Sequence, residues 1–534
     1  MTQMQFPCPV TTVDALARAA MIAPDVEAVV ASDGRATFGE LEQRVLELSG
    51  AMARYGIVKG DHVGLCLGNG LRWIEIFLAA SRIGAVTVPV NTRLRAQEIA
   101  YTLRQSRTSI LFVADRFLNI DFISVLREIC PAIDSKLPDA GLPDLGRVVV
   151  LGDDIPAGAQ SWERFHTAGE AAEPDCTPDS RLLIQYTSGT TSFAKGVMLT
   201  HRSMVANAFF SGVRMGVRAG DRLFSARPFF HVAGTSQSIL LSIQHAVTLV
   251  TMDRFLADDA LALMERERCT HFSGNDTIAL MLLDHPGRQK HELALRGAWL
   301  AASSPVVRRV VEEFGATEAV VAYGLSEAAP NVTISCWWEP LAERISGAMR
   351  PQPGVGVRIA DIDTGKPLPP HTPGEIQVRG WNVMQEYFDM AEQTEAAFTA
   401  DGWLRTGDRG TLDEEGRLHF LGRYKDIIRV GGENVSPLEV EEILLRHPDV
   451  RMAQAVGVPD PRLQEVVAAF VVLRQGATSS ADDIIRWGRE NMGGFKAPRH
   501  AEVVDSFDNL GMTASAKVQK KELAAYAAKL FGLV

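Results

Sequence analysis

Short apolar runs alternate with longer amphipathic ones along most of this chain, and that alternation limits it to few folds. Residues 13–23 read as a helix that Pro24 stops, residues 27–31 as a strand, and Asp33-Gly34 as a turn. Thr37 stands three residues before Glu40, a capping box, and the helix it opens carries apolar Leu41, Val45, Leu48 and Met52. A strand at 62–67, a helix at 73–83 and a strand at 85–90 follow, then strands at 107–114 and 147–151. Strands separated by helical runs pair in parallel with helices on their faces, so an α/β domain with largely parallel sheets is expected. Residues 137–146 and 153–178, rich in Gly, Pro, Ala and acidic residues, read as loops. The alternation resumes at 222–225, 247–252 and 269–273.

Two changes of pattern follow. Residues 351–380 carry turn signals every few residues and short β-rich runs at 355–359 and 375–379, the mark of a small β-subdomain. A hairpin at 410–412 and 418–421 comes next. Beyond Lys425 the chain reads as a strand at 427–430, a Gly-rich loop at 431–435, and a helix with Ser436 as N-cap, Pro437 as first residue and Glu439 completing a capping box. Strands at 453–458 and 466–473 and a helix at 481–492 complete it. At 534 residues the chain is too long for one core. The expected class is therefore α/β: a large N-terminal domain of several subdomains with a β-rich part, residues 1–424, and a small α+β domain, residues 425–534.

Between a strand at 181–185 and a helix start at 201–204 lies Tyr186-Thr187-Ser188-Gly189-Thr190-Thr191-Ser192-Phe193-Ala194-Lys195-Gly196. Its hydroxyls and glycines are poor core material. They suit an anion, because hydroxyls and exposed N–H groups donate to phosphate oxygens and Lys195 adds charge. The spacing is not that of a P-loop. By itself, a run of this composition reads as a surface loop.

The stretch resembles the signature loop of the adenylate-forming superfamily, which holds acyl- and aryl-CoA synthetases, the adenylation domains of nonribosomal peptide synthetases, and firefly luciferase. Ser192 stands where that family usually has Gly, and Ala194 where it usually has Pro. Further motifs in the family's order extend the resemblance over nearly the whole chain. It implies a reaction in two halves. A carboxylate attacks the α-phosphate of ATP, giving acyl-adenylate and pyrophosphate; the thiol of coenzyme A then displaces AMP. Bringing two anions together requires positive charge and N–H donors.

The resemblance assigns Lys195 and the hydroxyls of Thr187, Ser188, Thr190 and Thr191, with Gly189 among them, to the ATP phosphates. In Tyr323-Gly324-Leu325-Ser326-Glu327 it assigns Tyr323 to the adenine ring, with Gly324 beside it, and Ser326 to the α-phosphate. Glu327, with Thr187, is assigned to Mg2+, a hard cation that prefers oxygen ligands. Ala302 and Ser303 line the adenine side. Asp408 in Thr406-Gly407-Asp408 accepts from the ribose hydroxyls, and Arg423 adds a ribose or phosphate contact. His231, in Phe229-Phe230-His231-Val232-Ala233-Gly234, stands between acid and adenylate, although a histidine beside aromatics also reads as packed core. Lys517, in Thr513-Ala514-Ser515-Ala516-Lys517-Val518, bridges the substrate carboxylate and the adenylate oxygens; Ala516 replaces the usual Gly. The implied catalytic set is Lys517, His231 and Glu327. The small domain becomes a mobile lid hinged at Lys425, and Arg429, Gly431, Gly432 and Glu433 line the CoA channel, where glycine lets the backbone come close.

The net charge of −11 offers no basic surplus for a nucleic-acid partner. Six scattered cysteines show no metal spacing. Residues 1–12 lack a basic segment followed by an apolar one, and no apolar run reaches the length of a membrane span, so a cytoplasmic protein with reduced thiols is expected. The expected partners are a carboxylic acid, ATP and CoA, with no nucleic acid and no membrane span, in an assembly compatible with a homodimer. Pocket walls are expected from residues 231–237, 275–279, 301–304 and 324–332; Val232, Ala233, Gly234, Ala301 and Ala302 are small, and no Arg or Lys stands among them. Such a pocket suits a fatty, alicyclic or aryl acid. Two alternatives stay open: an enzyme loading a carrier protein, and a nucleotide-binding protein with impaired catalysis, which only Ser192, Ala194 and Ala516 favour.

Overall fold

The computed structural model describes residues 6–167, 170–187, 194–431, 433–508, 510–512 and 518–533. Two large sheets carry the N-terminal part. The first has nine strands, and its inner run is parallel: Glu27–Ala31, Thr248–Val250, Arg222–Ser225, His271–Asn275, Gly297–Ala301 and Val320–Gly324 lie side by side in that order. Antiparallel strands close both margins, Gly34–Thr37 on one side and Asn331–Ile334 with Arg350–Pro351 on the other. The second sheet has seven strands, Gly196–Thr200, Arg181–Tyr186, Val86–Pro89, His62–Cys66, Ile110–Ala114, Arg147–Leu151 and Gln160–Ser161 in spatial order. All its neighbours are parallel except the hairpin of the first two. One apolar core runs between the two sheets, with Phe38, Trp73, Phe77, Phe112, Phe224 and Phe272 buried in it, and a second gathers Leu111, Val113, Val148 and Val150 of the seven-stranded sheet with Phe122 and Leu126. A third, antiparallel sheet of four strands follows: Gly356–Ala360, Gly374–Arg379, Leu404–Leu412 and Leu418–Arg423.

The small C-terminal part is built on a five-stranded sheet covered on both faces. Along its central strand Gln464–Leu473, Val467, Ala469 and Val471 join one core, and Val466, Ala468, Phe470 and Val472 join the other. Side chains alternate faces along a strand, so a strand buried on both sides is apolar throughout, which is what the sequence shows at 466–473.

Local chemistry sets most element starts. At Thr37 the backbone N–H donates to Glu40 Oε2 at 2.9 Å and the Glu40 N–H to Thr37 Oγ1 at 3.2 Å, the expected capping box. Ser436 departs from expectation. It precedes the helix Pro437–Leu444, but its hydroxyl donates to the Leu421 carbonyl at 2.8 Å instead of capping, and Glu439 pairs with Lys496. A half-buried carbonyl has fewer alternatives than a first-turn N–H, which water reaches. Residues 153–178 are also more than loop: the strand Gln160–Ser161 and the short helix Trp162–Phe165 set Trp162 and Phe165 into the core.

After Val232 the helix changes pitch. Val232–Gly234 is α-helical, Thr235–Leu240 is π-helical and Leu241–His245 is α-helical again. A π-turn holds one residue more than an α-turn and tends to occur at functional sites. Gly234 stands against the preceding loop, where a Cβ would overlap the Pro228 carbonyl oxygen. Among the described residues no helix is long and apolar enough to cross a membrane. Gly234→Ala should therefore force the 228–234 turn apart and cost about 1–3 kcal/mol. Urea unfolding checks this: the midpoint falls at unchanged slope, and an unmoved midpoint would show that the turn yields freely.

Candidate functional site

The parallel strands of the nine-stranded sheet end at Asn275, Ala301 and Gly324, and ligands of open α/β sheets bind beyond such carboxyl ends. Three groups of side chains gather there.

The first surrounds the hydroxyl-rich loop. Its base is fixed on both sides: Tyr186 pairs with Gly196, the Thr187 N–H donates to Lys195 O at 3.0 Å, and the Tyr101 hydroxyl donates to Ala194 O at 3.0 Å. Ser188, Gly189, Thr190, Thr191 and Ser192 lie outside the described residues. Lys195 is half-buried, with Nζ 4.5 Å from the Tyr387 ring centre, a cation–π contact. The Tyr387 hydroxyl in turn donates to Glu327 Oε1 at 2.8 Å. Burial, then the Glu327 charge, push that phenol far above its usual range, so it remains a donor. Tyr387 was not legible in the sequence. It arrives because the chain around it pairs with the outer edge of Gly196–Thr200: Met198 N–H donates to Glu386 O at 3.0 Å, and Phe388 N–H to Gly196 O at 2.8 Å.

Glu327 sits in the turn between Val320–Gly324 and Asn331–Ile334. The Leu325 N–H donates to Pro330 O at 3.1 Å, and a Cβ on Gly324 would overlap that same oxygen, so only glycine fits. From behind, Asn382 Nδ2 donates to Ala328 O at 3.2 Å and Asn207 Nδ2 to Asn331 O at 2.8 Å. Ser326 is half-buried in the same turn. Tyr387 takes Glu327 Oε1, and Oε2 meets no donor among the described residues. A carboxylate with one such oxygen suits Mg2+, which takes one or two carboxylates and draws its other ligands from phosphates and water. Among the described residues no three His, Cys, Asp or Glu side chains form an all-protein cage. Thr187, the other expected ligand, is half-buried at the base of the loop.

The second group joins two sheets. The Tyr323 hydroxyl donates to Asp408 Oδ2 at 2.8 Å, and Arg423 Nε lies 3.2 Å from Oδ1. Asp408 and Arg423 face each other across the strands Leu404–Leu412 and Leu418–Arg423. Asp408 is 3% exposed and Tyr323 6%; one face of the Tyr323 ring is covered by Phe420, stacked at 5.1 Å between centres and 25° between planes. Burial, then Asp408, hold the Tyr323 phenol well above its usual range.

The third group lies at the carboxyl ends of the neighbouring strands Arg222–Ser225, His271–Asn275 and Gly297–Ala301. Ser303 N–H and Oγ both donate to Asp276 Oδ1 at 2.8 Å, which places half-buried Ala302 and Ser303 beside the start of the helix Asp276–Leu283. Burial raises the Asp276 carboxyl, with the Ser303 bonds working against it. His231 is half-buried, its N–H donating to Pro228 O at 3.0 Å and its ring 5.4 Å from that of Phe230.

The remaining predicted residues belong to the C-terminal part. Arg429 and Glu433 are exposed on the hairpin of Ile428–Val430 with Glu433–Val435, and Gly431 has φ +59° at its turn; Gly432 lies outside the described residues. Lys425 lies in the one-turn helix Tyr424–Asp426 between the four-stranded sheet and that hairpin. Lys517 and Ala516 also lie outside the described residues. Just beyond them the Lys520 ammonium meets the Glu441 carboxylate, Gln454 Oε1 at 2.8 Å and Ala455 O at 3.1 Å.

Comparison with known proteins agrees with this architecture. The family model of the AMP-binding enzymes matches residues 16–388, and that of the AMP-binding enzyme C-terminal domain matches residues 439–517. The chain is 31% identical over 528 residues to a putative acyl-CoA synthetase, YngI, of Bacillus subtilis (strain 168), with 96% of each covered. It is 36% identical over 528 residues to the 3-[(3aS,4S,7aS)-7a-methyl-1,5-dioxo-octahydro-1H-inden-4-yl]propanoyl:CoA ligase of Rhodococcus jostii (strain RHA1), with 96% of this chain and 98% of that protein covered. Among solved structures, the anthranilate CoA ligase AuaEII in complex with anthranoyl-AMP superposes with a TM-score of 0.87 at 26% identity, covering 98% of this chain and 99% of that one.

Two substitutions test the geometry. Asp408→Ala should weaken AMP binding at least about tenfold, the loss of a charged hydrogen-bond acceptor; calorimetry with an unchanged affinity would remove Asp408 from the site. Tyr387→Phe keeps the ring under Lys195 and deletes the donor to Glu327. Pyrophosphate release should then need several times more Mg2+ for half-maximal rate, with little change at saturating Mg2+.

Proposed function

The chain belongs to the AMP-binding enzyme family and is an AMP-forming acyl-CoA ligase using ATP, Mg2+ and coenzyme A, and on that premise we propose that it activates an acid with an apolar body. The pocket side chains Val232, Ala233, Gly234, Ala301 and Ala302 support this, since small apolar residues leave room for hydrocarbon. The Rhodococcus relative, named for a fused-ring propanoate, favours an alicyclic acid over a straight chain.

The observation that carries the site assignment is the string Lys195, Tyr387 and Glu327 at the base of the hydroxyl-rich loop. In our reading Lys195 and the loop hydroxyls draw charge from the β- and γ-phosphates, and the protonated Tyr387 phenol fixes the Glu327 carboxylate. Mg2+, when bound, supplies positive charge to the phosphates; Glu327 and Thr187 are the residues to hold it. Asp408 and Arg423 take the ribose, the open face of Tyr323 takes the adenine with Gly324, Ala302 and Ser303 beside it, and Ser326 reaches the α-phosphate. His231 separates acid from adenylate. The acid arrives ionised, so adenylation needs no general base, only donors aimed at the charge that develops.

We place the domain boundary near Lys425, with residues 1–424 holding ATP and acid and residues 425–534 acting as the lid. One pose presents Lys517 to the reacting carboxylate. The other presents the hairpin of Arg429, Gly431, Gly432 and Glu433 to CoA. Six free cysteines without a disulfide fit a reducing cytoplasm.

Separate assay of the two half-reactions tests this. Lys517→Ala should lower pyrophosphate release from ATP and acid about 10²–10³-fold yet turn pre-made acyl-adenylate and CoA into thioester at near the native rate. Lys425→Pro should do the reverse, because proline fixes φ near −65° and stops the rotation. Native pyrophosphate release in the Lys517 variant, or equal loss of both halves in the Lys425 variant, would sink the two-pose reading.

A further inference from the structure

One cation stands just before the first segment expected to wall the pocket. Arg227 precedes the Phe229-Phe230-His231 segment, and its backbone is clamped by Asn69, whose Nδ2 donates to Arg227 O at 2.8 Å while its Oδ1 accepts from the Phe229 N–H at 2.8 Å. The side chain crosses to the neighbouring strands. Nε donates to Ser273 Oγ at 2.7 Å, Nη2 donates to the Gly274 carbonyl, and the guanidinium lies 4.3 Å from the Trp299 ring centre.

Strand register places this group relative to the cleft. Ser273 pairs with Trp299, and Asn275 pairs with Ala301. Side chains two residues apart share a face, so Ser273, Asn275, Trp299 and Ala301 all project to the side where Arg227 lies. The guanidinium therefore sits about 7 Å, two residues of strand rise, below the edge at which Ala301 and Ala302 flank the cleft.

Two donors in this group have nothing to donate to. Trp299 is 4% exposed, and its Nε1 is fully buried with no hydrogen-bond partner among the described residues. Arg227 Nη1 likewise meets no acceptor among them, and no carboxylate among them lies within ion-pair distance of the guanidinium. Yet Arg227 keeps some accessible surface while burial pushes its guanidinium down to about 9. A buried N–H without an acceptor costs about 1–3 kcal/mol, so Trp299 Nε1, with the unoccupied Arg227 Nη1 on the guanidinium over its ring, calls for an acceptor from outside the protein.

We propose that Arg227 and Trp299 form an acceptor subsite at the floor of the acid pocket, and that the acid this enzyme activates carries a second sp2 oxygen, keto or carboxylate, remote from its reacting carboxylate. The apolar body lies between the small side chains near the mouth, and the far oxygen accepts from Arg227 Nη1 and Trp299 Nε1. Ser273, Gly274 and the Asn69 clamp hold the guanidinium in place before the acid arrives. The inference rests on the reading that the acid enters between His231 and Ala302, and it narrows that reading from an apolar acid to an apolar acid with one oxygen function at its far end.

The test is pyrophosphate release with four matched acid pairs: octanoate against 7-oxooctanoate and against suberate, and cyclohexanepropanoate against its ring-oxo and ring-carboxy counterparts. For at least one oxygenated acid, the native enzyme should show kcat/KM about 10²-fold or more above its hydrocarbon partner, since a site built to hydrogen-bond a group rejects the analogue lacking it. Keto against carboxylate acids in the same panel identify which oxygen is read. Arg227→Met, which keeps the stem over Trp299, should bring the ratio to within a few-fold, mainly through KM for the acid, with KM for ATP unchanged. Trp299→Phe, which keeps the ring and removes only the donor, should lower the ratio about tenfold. Native enzyme that turns over the hydrocarbon acids as well as every oxygenated partner overturns the subsite while leaving the ligase reading intact, whatever the stability of the variants. An undiminished ratio in both variants overturns it too. No pyrophosphate from any acid in the native enzyme would overturn the acid-pocket reading and the subsite with it.

Discussion

The hydrogen bond from Tyr323 to Asp408 is the contact on which the arrangement of the site depends. It joins the last parallel strand of the nine-stranded sheet to the third strand of the four-stranded sheet, and both partners are almost wholly buried. Neither tolerates the loss of the other: a buried carboxylate needs donors, and a buried phenol needs an acceptor. Their mutual need fixes the small sheet against the carboxyl ends of the parallel strands. Phe420 stacks on Tyr323 from the adjacent strand and blocks sideways slip. The strand that carries Phe420 ends at Arg423, directly before the one-turn helix holding Lys425, so the point from which the C-terminal part departs is set by the same contact.

The same principle, that buried polar groups come in satisfied sets, separates the parts of the cleft. Glu327 has Tyr387, Asp408 has Tyr323 and Arg423, and Asp276 has Ser303 twice over. The anions of the site are thus answered by the protein itself. Trp299 is the exception among these groups: its Nε1 is buried and given no acceptor among the described residues, and Arg227 Nη1 on the guanidinium over its ring is unoccupied too.

Much of this was legible from local pattern. The apolar runs at 62–67, 85–90 and 147–151 named parallel strands because such strands are buried by helices on both sides, and the Thr37 capping box needs only four consecutive residues. Tyr323 and Asp408, which the structure brings into contact, sit in short ordered signatures, as does Glu327. What could not be read depends on register between distant segments. Tyr387 enters the site through the pairing of residues 384–388 with an edge strand, and nothing in Gln385-Glu386-Tyr387-Phe388 announces it. Arg227 falls beside a recognisable segment, but whether it points to solvent or into the sheet is decided by where Ser273 and Trp299 come to rest. Ser436 shows the converse: a sound local signal for a cap gave way to a carbonyl that only the tertiary fold brings near.

The π-helical segment Thr235–Leu240 follows directly on His231 to Gly234, which we propose as part of the acid pocket. A π-turn is an α-helix carrying one surplus residue, so the segment can lose a residue without losing its ends. Deletion of a single residue there would restore a continuous α-helix and rotate every side chain before it by about 100° relative to those after it. Both halves are anchored in the core, the far one by Leu241 and Ile243 and the near one by Phe229 and Val232, so the rotation would be shared between them. The surplus residue thus marks a step of helical register beside the wall we propose for the acid pocket. On that reading, a pocket wall of this kind can change in whole increments of helical register as well as by exchange of single side chains.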